Sequence, residues 1–354
     1  MGNTMIKVFF LLCIVLTSTG CWNNKDINHR LLPAVVGISK NGDKYKLILE
    51  LPVLESDNMK IQIIKATGKS IADAVDWLSM NMDRGVDLFH VKLIVLDKQF
   101  AKQGLTDVMS GLMRSREVAP NAQMAICNED LDYFFGNVQK SKPPTGDYLL
   151  DFFEKDAGWT PNIALTRVWQ VYRSLHSSTR DVIIPIIQTG KLTEVEHIGS
   201  AVIKNGKMVS QISPNDTLLY NAFDGQGTQG IVEVMDLATV LILSDWKSNK
   251  SMIINEKPFM KSQLNLKVTI LETKGNPSMD LIKKDLSTLI TNRFHRMLTI
   301  TQKKQADILG LGQTFRTKLP RAKLKNWREK YYPILKLDFQ VNVDIQNEGF
   351  LKSD

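Results

Sequence analysis

Cysteine is scarce in this chain: 354 residues carry three, Cys13, Cys21 and Cys127. With residues 1–20 read as a removable targeting segment and Cys21 as a modified terminus, Cys127 stands alone. No intrachain disulfide can then form, and cohesion must come from buried cores. Long apolar runs are scarce too. Beyond residue 20 the longest candidate, Val182-Ile-Ile-Pro-Ile-Ile187, is strand-length and carries a proline, far short of the roughly 20 apolar residues of a spanning helix. The five histidines, His29, His90, His176, His197 and His295, are scattered, and none has the neighbours of a metal site. No Gly-x-Ser-x-Gly elbow and no acidic pair with hydrolase spacing appears, so nothing argues for catalysis. Cys127, beside Ile126 on a predicted strand, reads as an inert buried thiol. Repeats of about 20–50 residues are also missing.

What is present begins at the N-terminus. Lys7 gives a small positive region, and Val8 to Leu16 (VFFLLCIVL) is an unbroken apolar stretch of nine residues, fitting a signal-peptide core and too short to cross a bilayer. Thr17-Ser18-Thr19-Gly20-Cys21 follows, small residues ending on a thiol that a lipid transferase can alkylate. Ser18 stands where Leu is commonest in such sites. The expected product is a chain anchored through Cys21 by diacylglycerol and an N-acyl group such as palmitate, since two or three chains hold firmly where one is marginal. The same residues also fit an ordinary secretory signal followed by a chance cysteine, or an uncleaved anchor.

The remaining 334 residues exceed one compact core and predict two or three domains. Net charge is +8 and uneven: residues 261–354 hold 18 Lys+Arg against 9 Asp+Glu, a balance of +9 that leaves −1 for the first 260. Within 316–330 Arg316, Lys318, Arg321, Lys323, Lys325, Arg328 and Lys330 face only Glu329. Arg321, Lys323, Lys325 and Arg328 are the candidate membrane- or partner-facing patch; the alternative is a solvated face. Export leaves nucleic acid out of reach, and no metal or cofactor is expected beyond the lipid.

Periodicity predicts an α+β, multi-domain chain. Residues 21–195 read as one mixed domain. Tyr45–Leu51 is a strand interrupted by Pro52; Ser70 caps a helix with Ile71, Ala74, Val75, Leu78 and Met82 on one face and Gly85 as its stop. Lys92–Leu96 and Ala122–Ile126 are strands flanking a helix with Leu105, Val108, Met109, Leu112 and Met113 inward. Residues 196–258 read as a β-rich middle domain opened by a Lys204-Asn205-Gly206 hairpin. There Gly225-Gln-Gly227-Thr-Gln-Gly230 satisfies the dinucleotide fingerprint, but β-branched residues follow it, so a glycine-rich hairpin turn is the better reading. Residues 259–354 form the last unit, strand, long helix, helix, strand: a strand through Leu264–Ile270, a long helix capped by Ser278, a further helix, and a strand in which Leu335, Leu337, Phe339, Val341, Val343 and Ile345 alternate with polar neighbours.

Several segments in order resemble the Ger(x)C family, the lipoprotein (C) subunits of bacterial spore germinant receptors. They are Gly20-Cys21-Trp22-Asn23 with Asp26-Ile27-Asn28, Gly68-Lys-Ser-Ile71 with Leu88-Phe-His90-Val-Lys92, Arg114-Ser-Arg116-Glu117, Ile198-Gly-Ser-Ala-Val202 with Asn205-Gly-Lys207-Met-Val209, and Gln305-Ala-Asp307-Ile-Leu-Gly310-Leu-Gly312 with Trp327 and Tyr332-Pro333. Asn23 departs from the family's usual acid. The resemblance implies three α+β domains and no known catalytic activity. It also implies assembly with two membrane-embedded receptor subunits on the outer face of the inner spore membrane. From the residues alone, Asp307 reads as the anchor of a turn fixed by backbone hydrogen bonds, and Trp327 and Tyr332 as packing against the final strand. The competing function is a solute-binding lipoprotein that captures a small nutrient itself; it would need a deep cleft between lobes.

Overall fold

The computed structural model describes residue 2 and residues 29–55, 58–115, 118–140, 148–154, 162–225 and 232–347. Cys21, the rest of the predicted signal segment, the loop at 141–146 and residues 226–230 of the glycine-rich stretch lie outside the described residues.

Eight strands build one mixed sheet in the order β10-β9-β8-β7-β6-β2-β3-β4. β2 (Val35–Asn41), β3 (Lys44–Glu55) and β4 (Asn58–Gly68) form an antiparallel meander at one edge. β6 (Leu93–Asp97), β7 (Gln123–Cys127) and β8 (Val182–Thr189) run parallel to β2 through the middle. β9 (Val195–Lys204) and β10 (Lys207–Ile212) close the other edge antiparallel. Two short strands, β1 (Arg30–Leu31) and β5 (Gly85–Val86), pair separately. Central parallel strands are covered on both faces and so read as continuous apolar runs, which is why Leu93–Leu96 and Val182–Ile187 are buried at every position. Neither proline breaks a ladder. β2 pairs with β3 only as far as Glu50, so Pro52 lies beyond it and β3 continues to Glu55. Similarly, β7 meets β8 only at Ile186 and Ile187, beyond Pro185.

Helices cover both faces. α1 (Ile71–Asn81), α2 (Lys98–Gln103) and α3 (Thr106–Ser115) share an apolar core with Ile38, Leu96, Ile126 and Ile184; α4 (Leu131–Lys140) and α5 (Tyr148–Glu154) pack with Val35, Ile48, Val95 and Cys127 opposite. α6 (Val168–Leu175) joins the first group. The capping of α1 follows the sequence: Ser70 Oγ accepts from the Asp73 N–H at 3.1 Å, and Ala74, Val75 and Leu78 are buried. Its end does not, because Met82 turns extended before Gly85, which instead opens β5.

The predicted middle unit is divided. Residues 195–212 extend the large sheet, with Asn205 and Gly206 at φ 49° and 75° forming the expected hairpin turn. A helix then follows, α7 (Pro214–Asp224): Ser213 caps it, Pro214 opens it and Asp216 reaches back to the cap. Gly225 ends α7 with φ 78°, so the glycine-rich stretch starts from a helix end rather than a hairpin or a dinucleotide-type strand. β11 (Val232–Val234), β12 (Ala238–Ile254), β13 (Lys257–Thr273) and β14 (Lys336–Asn347) then form a second sheet in chain order. The boundary at 258/259 falls within this sheet's central hairpin, whose turn residues Asn255 and Glu256 both have positive φ.

β13 and β14 are parallel, joined across the sheet by α8 (Met279–Lys303). Ser278 Oγ caps α8, and Ile282, Leu286, Ile290, Phe294 and Met297 face inward. Phe294 stacks between Phe223 of α7 and Phe339 of β14, with centroids 5.1 and 3.9 Å away. One apolar core runs from Ile183, Val202 and Ile212 of the large sheet through α7 into the second sheet. α7 is therefore the layer on which the two sheets meet.

Candidate functional site

The Gln305–Gly312 run follows directly on α8. Its centre is Asp307, fully buried. One carboxylate oxygen accepts from the Leu311 N–H at 2.9 Å; the other accepts from the Gly312 N–H at 2.7 Å and from Trp327 Nε1–H at 2.8 Å. Gly310 supplies the left-handed turn at φ 62°, and a Cβ on Gly312 would stand 2.6 Å from Trp327 Nε1. The glycines thus let the chain curl around one carboxylate, as the turn reading anticipated. Trp327 packs over Phe315 at 4.9 Å, and the Tyr332 hydroxyl meets Thr301 of α8 at 2.8 Å. Both aromatics are thereby held by the turn and α8, and they share one apolar core with Phe339 of the final strand.

This turn is welded to the large sheet. Asp181, immediately before β8, donates its N–H to the Asp307 carbonyl at 2.8 Å, and its carboxylate accepts from the Asp307 N–H at 2.9 Å. The same carboxylate takes a two-pronged contact from Arg328, Nε at 3.0 Å and Nη2 at 2.8 Å. Arg328 Nη2 also donates to the Arg180 and Ser174 carbonyls. At the hairpin end of β9, Lys204 Nζ reaches Gln305 Oε1 at 3.1 Å. Burial raises the pKa of Asp181 against the pull of Arg328. It raises Asp307 to about 7, outweighing the three N–H donors, with neighbouring Asp181 adding to the rise.

Arg328 must therefore be removed from the surface patch: its side chain is 8% exposed and committed to Asp181. Four residues chosen for charge alone could not reveal that one has a buried partner 147 positions away. Arg321, Lys323 and Lys325 remain exposed, on and just after α9 (Arg321–Leu324). Lys323 lies 4.0 Å from exposed Glu256, a contact worth little. Cys21 lies outside the described residues. Cys127 is fully buried on β7 and its thiol is pushed up to about 12 by burial, so it is held protonated. His197 is half-buried; desolvation pushes it down to about 4 and Nε2 has no hydrogen-bond partner among the described residues. No group of three or more His, Cys, Asp or Glu among the described residues could hold a metal, and no described helix is long and apolar enough to cross a membrane.

Sequence reasoning missed Asp181 and α7. The α7 signal was available in Ser213-Pro214-Asn215-Asp216, a capping box with proline at the first helical position. Asp181 carried no local signal at all.

Comparison with known proteins covers nearly the whole chain. The profile of the spore germination protein N-terminal domain matches residues 23–189, and that of the spore germination B3/GerAC-like C-terminal domain matches residues 198–349. Spore germination protein KC of Bacillus subtilis (strain 168) is 20% identical, the alignment covering 98% of this chain and 96% of that one. Spore germination protein B3 of the same organism is 26% identical over 87% of this chain and 85% of its own. Spore germination protein GerQC of Bacillus cereus is 22% identical over 80% and 81%. Among solved structures, the crystal structure of the GerBC protein matches with a TM-score of 0.60 at 15% identity, over 88% of this chain and 97% of that one. The second profile begins at residue 198, inside β9, so the sequence division cuts through the large sheet.

Proposed function

Since the chain belongs to the Ger(x)C family of spore germination proteins, we propose that it is the lipid-anchored, non-enzymatic subunit of a spore germinant receptor. It would be tethered through Cys21 to the outer face of the inner spore membrane and assembled with integral membrane subunits. The observation carrying this reading is the pair of family profiles spanning the chain in order, 23–189 then 198–349. The chemistry of the body agrees with an interaction module: its most distinctive polar cluster, Asp181–Arg328–Asp307–Trp327, is consumed in joining two sheets, and its buried thiol is held protonated. Tethering would raise the effective concentration of such a module beside membrane-embedded partners.

The test is extraction of spore membranes in mild detergent, followed by affinity purification of the full chain. Co-purification of a multi-span membrane protein is expected; recovery of the chain alone would count decisively against the assembly. In parallel, Cys21→Ala should move the protein from the membrane to the soluble fraction.

A further inference from the structure

Above the Asp181–Arg328 contact the two units leave a cleft of about 880 Å³. One wall is the end of α6 and the chain leading to β8, with Arg173, His176 and Arg180; the other is the stretch after the glycine turn, with Arg316, Arg321 and Lys325. Gln313 Nε2 donates to Thr179 Oγ1 at 2.5 Å, linking the walls. No Asp or Glu is among the described residues that line it. Nearby carboxylates are already engaged: Asp181 holds Arg328, and Asp224 holds Arg180. Arg173 lies over the Trp169 ring at 4.8 Å and makes no ion pair among the described residues. Burial and the charge of Arg180 both lower its pKa. Self-repulsion of this kind is unfavourable in the empty protein and is relieved by an anion. The concentration is also local. Like charges drawn from elements far apart in sequence meet in one concavity, whereas a solvated face would spread them over convex surface.

We propose that this interdomain cleft is a binding site for a phosphate-type polyanion, gripped from one wall by Arg173 and from the other by Arg316 and Arg321, with Arg180 held in the first wall by Asp224. Guanidinium forks match phosphate oxygens two at a time, and a ligand with several anionic oxygens can touch both walls at once. Because each wall belongs to a different unit, occupancy would brace the junction that Asp181, Arg328 and Asp307 form below. The proposal does not depend on the receptor reading: the site is defined by side chains within this one chain.

The experiment uses the full chain in neutral detergent micelles, titrated with sodium pyrophosphate by calorimetry at low and moderate salt. Saturable one-site binding that weakens with salt is expected. Arg173→Gln with Arg316→Gln should weaken it at least tenfold, Arg316→Lys to a smaller degree, and the distant control Lys44→Gln should leave it unchanged. Each variant's thermal unfolding is recorded, and Arg316→Lys, which keeps the charge, guards against loss of fold being read as loss of site. A second arm dopes the micelles with phosphatidylglycerol. Loss of pyrophosphate affinity there identifies a lipid headgroup as the source of the phosphate, and unchanged affinity a free phosphate compound. Absence of saturable binding in both arms overturns the proposal, as does equal weakening by Lys44→Gln and by the double variant.

Discussion

The centre of the large sheet and the junction between the two sheets are both fully buried, yet they hold together by opposite means. Around β6, β7 and β8 the contacts are apolar and non-directional, and any side chain of suitable size and shape serves. At the junction two carboxylates, a guanidinium and an indole N–H must meet particular partners within hydrogen-bonding distance. The first region tolerates graded loss. The second is all-or-none, because a buried charge without its partner costs more than the pair contributes. The junction thus fixes which way the units face each other, and the shared apolar core through α7 supplies adhesion.

The sharpest way to break this contrast is to remove one partner. Arg328→Ala leaves Asp181 buried and uncompensated and should destabilise the chain by about 3–5 kcal/mol, read as the urea midpoint followed by far-UV circular dichroism. If the effect is a stranded charge, Asp181→Leu combined with Arg328→Met should recover most of the loss. A double variant as unstable as the single would mean that the loss comes chiefly from the other groups left without partners, the Asp307 N–H and the Arg180 and Ser174 carbonyls. In the sheet, Leu96→Ala opens a cavity at a fully buried site and should cost about 2–5 kcal/mol. No partner substitution should rescue that variant, and its cost should not vary between pH 5 and 8.

The junction should respond to pH, and Asp307 gives the sign. Its folded pKa is raised from 3.8 to about 7, so between those values the native chain keeps a proton that the unfolded chain releases. The contribution is complete below about pH 4 and is lost as pH rises through 7, at up to about 1.4 kcal/mol per pH unit. Asp307→Asn cannot titrate and strands a donor between Gly312 and Trp327, so it should be less stable than the parent throughout. The gap should narrow from pH 5 to pH 8, because only the parent loses the Asp307 contribution. Urea midpoints of both proteins across that range decide it; a constant gap would assign the pH dependence elsewhere.

The contrast also explains what was legible in the sequence. Apolar period is a local signal, so β6, β8, α1, α8 and the alternating β14 could be read from short windows, as could the caps at Ser70 and Ser278 and the Asn205-Gly206 turn. The α+β class and family followed from such pieces. The pairing of Asp181 with Arg328 spans 147 positions and leaves no mark in either neighbourhood. Arg328 looked like six other cations around it for the same reason. The proposed middle unit failed differently: local strand signals said nothing about which sheet each strand would join, and β9 and β12 went to different ones. The cleft combines both problems, since its cationic stretch at 316–325 was visible and its opposite wall at 173–180 was not.

The smallest expected effect serves as the control on all of these. Ser70 and Ser278 each accept a hydrogen bond from the third helical N–H, of α1 in one unit and α8 in the other, and both caps are solvent-exposed. A cap acts on orphaned donors within one turn, so its worth depends on local geometry rather than on which unit holds the helix. Ser70→Ala and Ser278→Ala should therefore each cost about 1 kcal/mol, equally at pH 5 and 8. Their contacts lie far apart and share no partner, so the double variant should lose the sum. Additive, pH-independent losses at the caps, set beside non-additive losses at Asp181 and Arg328, would place the difference between the regions in long-range charge pairing and not in the intrinsic stability of either unit. A Ser278→Ala cost several times that of Ser70→Ala would reverse this, by showing that α8 is marginal and that the junction rests on a weak helix.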